Sequence, residues 1–216
     1  IAQTNEMREE ALNFYCLKEK KCIVLPNLLD KDLINKSISY EFNNFDTSKY
    51  NIVASGRLHK VKGYSILIKS ISILIATNKD VHLYILGSDK GEEKKLRKLI
   101  FDLELSKYIT LCGFIPNPYP YYYNCDLFIM TSLHEGFPNS LLENYYLNTP
   151  LVSTKCAEIV NRLIFPSING YIIENLNSKC VSDNIKKAFN LNRKIINNPV
   201  YNGGSLNSFI LKKLYA

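Results

Sequence analysis

Residues 132 to 143 read S-L-H-E-G-F-P-N-S-L-L-E, and two carboxylates in them, Glu135 and Glu143, have seven residues between them. Gly136, Pro138 and Asn139 between them are turn and helix-start residues, and the apolar run D-L-F-I-M comes just before. A helix starting at Pro138 would offer the backbone N–H groups of Asn139, Ser140 and Leu141 as an anion site. Glu143 would fall in the first turns of that helix, and Glu135 in the loop before it. Acids so placed can accept hydrogen bonds from ligand hydroxyls. They can equally be a helix acid favoured by the dipole and an ordinary loop acid.

Two cations, Arg57 and Lys62, stand earlier in S-G-R-L-H-K-V-K-G, bracketed by Gly56 and Gly63. Over one crevice they would give an anion charge-assisted hydrogen bonds worth about 1.5–3 kcal/mol each. The alternative is a pair of solvated surface cations, and the glycine brackets argue instead for a shaped backbone around both. Other chemistries find no pattern. The dinucleotide fingerprint G-x-G-x-x-G, the phosphate loop G-x-x-x-x-G-K-[ST] and the nucleophile elbow G-x-S-x-G are all absent. His134 and Glu135 begin like H-E-x-x-H, but position 138 is proline. His59 and His82 are isolated and read as structural. The cluster Tyr119, Tyr121, Tyr122, Tyr123 could stack a base or pack a short helix.

The elements that must position these residues follow from hydrophobic period. Strand-length apolar runs at 51–56, 81–87, 108–113, 126–131, 150–154 and 170–173 alternate with helical patterns at 62–77, 92–104, 138–147 and 182–191. Residues 119–124 read as a short helix or turn. The first thirty residues predict a helix, 7–20, then a strand at 22–26; residues 30–50 predict a connector with one short helix, and 205–215 a final helix. Such alternation predicts an α/β fold: a Rossmann-like, doubly wound parallel sheet of about six strands. Ligands of such sheets bind at the carboxyl ends of the strands. S-G-R-L, L-G-S-D, C-G-F-I and S-L-H-E-G would all lie on that rim.

Composition narrows the classes. With 216 residues, 46% of them hydrophobic, the chain can bury a substantial core. No run of about 18 apolar residues is present to span a membrane. The N-terminus is polar and mixed in charge, so no signal peptide is expected; it opens on Ile, as expected of a piece of a longer protein. The net charge of +7 suits either a lysine-rich surface or an anionic ligand. The basic residues are scattered, so nucleic acid is not expected as a partner. The six cysteines include no C-x-x-C pair, and neither disulfide nor metal is expected, in a reducing cytosol.

Taken in order, S-G-R-L-x-x-x-K-G, L-Y-I-L-G, G-F, D-L-F-I-M-T-S-x-x-E-G-F-P-N-x-L-L-E and P-L-V-S-T resemble the C-terminal domain of retaining GT-B glycosyltransferases, and more narrowly family 4 of those enzymes. The likeness runs over residues 22 to 190. It implies that the chain is one half of a GT-B fold: residues 1–50 the end of an N-terminal domain and a linker, 51–190 the nucleotide-sugar-binding domain, and 191–216 a helix returning toward the absent domain. It implies a UDP- or GDP-sugar donor and no cofactor or metal. Arg57 and Lys62 would hold the diphosphate, Glu143 the ribose hydroxyls and Glu135 the donor-sugar hydroxyls. The backbone of Gly136, Phe137, Pro138 and Asn139 would face sugar and phosphate, and Gly113 and Phe114 the base. The sugar would pass to a glycan or lipid-linked acceptor held by the missing domain. The isolated chain is expected to have little or no transferase activity, and the intact enzyme to be cytoplasmic, with peripheral contact to anionic membrane open to it. The rival reading is a non-catalytic Rossmann-like module binding another phosphorylated ligand. Two departures from the family pattern stand out. Asn148 replaces a glycine after the helix, and Lys155-Cys156-Ala157-Glu158 replaces a glycine-rich loop.

Overall fold

The computed structural model describes residues 2–3, 5–16, 22–24, 27, 29–77 and 80–191. They fall into two compact units, one reaching Lys31 and the other beginning at Asp32. In the first, helix α1 spans Asn5–Phe14. Arg8 Nε donates to the Cys22 carbonyl at 2.8 Å, and Ala2 and Val24 form an isolated parallel bridge. The strand expected at 22–26 is therefore a single bridge in its described part. The final helix expected at 205–215 lies outside the described residues.

The second unit opens within α2, Lys31–Ser37. Six parallel strands follow: β1 Tyr50–Ser55, β2 Val81–Leu86, β3 Ile109–Gly113, β4 Leu127–Met130, β5 Leu151–Thr154 and β6 Gly170–Ile173. Between them run α3 Tyr64–Ile75, α4 Glu93–Asp102, α5 Tyr119–Asn124, α6 Asn139–Tyr146 and the short α7 Val160–Leu163, with α8 Ser178–Ala188 last. The strand order is β3-β2-β1-β4-β5-β6. The chain therefore builds outward from β1 in one direction and then returns to build outward from β4 in the other. Neighbours β1 and β4 send their crossovers opposite ways, and the crevice at their carboxyl ends is where such sheets hold ligands.

Alternation of side chains along each strand divides the interior in two. Ile52, Ala54, Leu83, Ile85, Leu127, Ile129 and Val152 face one layer with Leu67, Ile71 and Leu74 of α3, Leu96 of α4 and Val181 and Ile185 of α8, all buried. On the other face Phe128 packs edge-on against Tyr122 of α5, ring centroids 5.5 Å apart. Phe42 and Phe45, from the segment expected to be a connector, pack edge-on against Tyr121 of the same helix. Apolar side chains on both faces explain why the strands read as continuous apolar runs.

The boundaries differ from expectation at three places. The helix expected to begin at 62 begins at Tyr64, because Lys60–Lys62 form a single 3-10 turn ended by Gly63 in a left-handed conformation, φ 69°. The last helix begins a turn earlier than 182: Asn177 accepts from the Cys180 N–H and caps it. Helix α7 was not expected, being one turn long with no capping residue to announce it. Asn148 does adopt the left-handed conformation that follows a helix, φ 55°, as its substitution for glycine requires.

Candidate functional site

The loops after β1 and β4 meet at the switch point, and backbone bonds lock them together. After β1 the chain passes through Gly56 and exposed Arg57, then buries Leu58. His59 Nδ1 accepts from the Val61 N–H and so caps the 3-10 turn that presents Lys62. From the other loop, the Leu133 N–H donates to the Val61 carbonyl at 2.7 Å, and Thr131 Oγ1 donates to the Lys62 carbonyl at 2.9 Å. A Cβ on Gly63 would run into the Thr131 carbonyl oxygen, so this approach needs glycine. The Tyr64 hydroxyl donates to the Gly56 carbonyl at 2.9 Å and holds the start of the first loop.

Within this frame the Lys62 ammonium lies 2.6 Å from Glu135 Oε1, with the two side chains 16% and 15% exposed. Ser132 Oγ donates to the same oxygen, also at 2.6 Å. Behind them Thr154 Oγ1 donates to the Ser132 carbonyl, and the Glu135 N–H to the Cys156 carbonyl at 2.9 Å. The end of β5 thus supports the Glu135 loop through the K-C-A-E segment that departs from the family pattern. Among the described residues the Arg57 guanidinium has no ion pair or hydrogen bond.

Helix α6 begins at Asn139 as expected, with Pro138 at its cap and Phe137 buried. Its N–H groups differ from expectation. Asn139 donates to the Phe137 carbonyl and Leu141 to the Pro138 carbonyl, so neither is free for an anion. Of the three, Ser140 alone has no described backbone acceptor. The tight entry through Pro138 folds the loop carbonyls back over the helix start. Glu143, one turn further on, is half-buried, and the Tyr119 hydroxyl reaches its Oε1 at 3.5 Å. Burial raises the Glu143 pKa above the ordinary carboxyl value, and the Tyr119 hydrogen bond opposes the rise.

The two glutamates therefore have different partners, one a lysine and a serine, the other a tyrosine. Gly113 ends β3 with φ 70°, and a Cβ there would meet nothing within 4 Å. Phe114 beside it is 72% exposed. These two lie on the same carboxyl rim as Arg57, Lys62 and Glu135, but at the edge strand, two strands from β1. Of the tyrosine cluster, Tyr121 and Tyr122 pack into the sheet face and Tyr119 turns to Glu143. Sequence reasoning missed Ser132 and the Tyr119 contact. The only hint of Tyr119 was its place among tyrosines near a strand end. Among the described residues no three His, Cys, Asp or Glu side chains converge as a metal site would require, and no helix is long and apolar enough to cross a membrane.

Strand order and switch-point loops define a doubly wound α/β domain with a cation and a carboxylate paired at the carboxyl rim of its sheet. The family model described as glycosyl transferases group 1 matches residues 35–203. An uncharacterized glycosyltransferase of Methanocaldococcus jannaschii is 30% identical over 174 residues, covering 78% of this chain and 42% of that protein. The N-acetylgalactosamine-N,N'-diacetylbacillosaminyl-diphospho-undecaprenol 4-alpha-N-acetylgalactosaminyltransferase of Campylobacter jejuni is 29% identical over 178 residues, covering 82% of this chain and 47% of that protein. Among solved structures, Anabaena Alr3699/HepE in complex with UDP and glucose superposes with a TM-score of 0.73 at 21% identity, over 88% of this chain and 53% of that one. The chain belongs to the glycosyl transferases group 1 family. It spans about half the length of the curated relatives it matches.

Proposed function

We propose that this chain is the donor-binding half, the C-terminal domain, of a retaining glycosyltransferase of family 4. It binds a nucleotide-sugar and presents it for transfer to a glycan or lipid-linked acceptor held by another part of the enzyme. Arg57 and Lys62 bind the diphosphate. Glu143 accepts from the ribose hydroxyls and Glu135 from hydroxyls of the sugar. The Gly136–Phe137–Pro138–Asn139 backbone lies along sugar and phosphate, and Gly113 and Phe114 receive the base. As the bond from sugar to diphosphate breaks, negative charge grows on the leaving phosphate, and the two cations offset it. The reading needs no metal.

The observation that carries this reading is the Lys62–Glu135 pair at the switch point, with Arg57, unpaired among the described residues, on the same loop as Lys62. A cation and a hydroxyl acceptor held against each other suit a ligand whose phosphate adjoins a sugar. The relatives fit: one is a sugar transferase acting on a diphospho-undecaprenol-linked substrate, and one structural neighbour was solved with UDP and glucose. A thermal-shift panel of UDP-, GDP- and ADP-sugars tests it. One nucleotide series should raise the unfolding temperature with the logarithm of its concentration once that exceeds Kd, and Glu143→Ala should abolish most of that rise. No response to any member, or an unchanged response in the variant, would favour a module for some other phosphorylated ligand.

A further inference from the structure

The two oxygens of Glu135 are not equivalent. Oε1 takes both the Lys62 ammonium and the Ser132 hydroxyl, each at 2.6 Å. Oε2 accepts from no described residue. Ser132 is 1% exposed, and its own backbone is fixed by Thr154 Oγ1 on its carbonyl. A free carboxylate would rotate about its last side-chain bond and offer either oxygen to the lysine. The two oxygens are interchangeable by a half-turn, but a buried hydroxyl held in one place by its backbone fixes the carboxylate plane, so that one oxygen at a time serves serine and lysine and the other serves neither.

We propose that Ser132 is a positioning residue that divides the work of the Glu135 carboxylate. Oε1 is held for the Lys62 ammonium, and Oε2 is left facing a hydroxyl of the donor sugar. This rests on the donor-binding reading above. On that reading Lys62 touches the diphosphate, so one side-chain unit joins the recognition of phosphate to that of sugar. While Oε1 holds the lysine toward phosphate, Oε2 is left to accept from the sugar. The sugar is then read as a gain in affinity of the nucleotide-sugar over its bare nucleoside diphosphate. Without Ser132 the carboxylate is free to turn both oxygens to the lysine, and that gain is lost.

The test is calorimetric titration of the 216-residue chain with UDP and UDP-glucose and with GDP and GDP-mannose. The quantity read is the ratio of the two Kd values in the pair that binds. Ser132→Ala should reduce that ratio by about tenfold, the scale of one hydrogen bond to a charged group. Its affinity for the bare nucleoside diphosphate should change by less than threefold. Ser132→Cys, nearly the same size with a weaker donor, should fall between, and it carries the test if the alanine variant does not fold. A serine with a merely structural role would lower both affinities together and leave the ratio unchanged; that result overturns the proposal. If neither pair binds, the titration is made with the nucleotide-sugar that responds in the thermal-shift panel and its bare diphosphate; if none responds, the donor-binding reading falls and this inference falls with it. A wild-type ratio retained in both variants removes only the inference.

Discussion

Lys62 and Glu135 are 73 residues apart in the chain and 2.6 Å apart at their charged ends. They join the loops after two strands that are neighbours in the sheet but the first and fourth in sequence. The pair is largely out of water, so each member depends on the other. Removing one leaves a poorly hydrated charge that costs more than the pair itself contributes. Lys62→Met, which keeps the aliphatic stem, should lower the unfolding free energy by about 1–3 kcal/mol. Urea unfolding checks this, and the double variant Lys62→Met, Glu135→Gln should recover part of the loss. A neutral effect of the single variant would mean the pair is not formed in solution.

Gly63 ends the turn that presents Lys62 and starts α3, with φ 69° and its α-hydrogen side against the Thr131 carbonyl. An alanine there carries the left-handed strain of about 1–2 kcal/mol and must also push β4's loop away. Gly63→Ala should therefore destabilise the fold by more than the strain alone, and should loosen the contact that sets the distance between Lys62 and Glu135. Gly113→Ala provides the contrast. Its φ is similar but its surroundings are open, so only the strain applies. Chemical denaturation of the two variants side by side should show the larger loss at Gly63.

Glu143 gives a pH signature. Burial raises its pKa in the folded protein above the ordinary value of 4.5. The folded state therefore holds this proton more tightly than the unfolded chain. Below pH 4.5 both states are protonated and the group is neutral in effect. As pH rises through 4.5 and then through the folded value, ionising the buried carboxyl costs stability that a glutamine does not. Glu143→Gln should thus melt at a higher temperature than wild type at pH 7, and the gap should close as pH falls below 4.5. Melting curves across pH 4 to 8 check the sign. The same substitution should weaken nucleotide binding at pH 7, a trade of affinity for stability expected of a carboxylate kept for a ligand.

The absence of a metal from the proposed chemistry is a prediction in its own right. On the proposed reading Arg57 and Lys62 supply the positive charge that the diphosphate needs. Binding of the nucleotide-sugar identified by thermal shift should be the same within twofold with EDTA or with added magnesium. A loss of binding in EDTA would assign part of that charge to an ion.

Much of this was legible in the sequence because two signals coincide. Apolar runs bounded by Gly56, Gly87 and Gly113 mark strand ends, and those ends carry the polar residues of the rim. Helix α6 begins where Pro138 and Asn139 say it should. What was not legible depends on distance through space. Glu135 and Glu143 stand near each other in sequence, yet each acid has a separate partner brought in from another segment, Lys62 for one and Tyr119 for the other. The free N–H groups expected at Asn139 and Leu141 are used by the Phe137 and Pro138 carbonyls, since the sharp entry through proline folds those carbonyls onto the helix. Ser132 could not be singled out because a serine beside a strand carries no periodic signal; only its burial next to Glu135 gives it weight. Helix α7 is too short for periodicity to detect.

On the proposed reading the crevice between the β1 and β4 loops binds a nucleotide-sugar through Arg57 and Lys62. Calorimetric titration of the responding nucleotide-sugar into wild type and into the double variant Arg57→Ala, Lys62→Met measures this directly. Wild type should show one saturable site and the variant a loss of at least about 100-fold, the scale of two charge-assisted hydrogen bonds. Circular dichroism should show the variant still folded. Equal affinity in a folded variant would contradict the account and place the ligand elsewhere on the molecule.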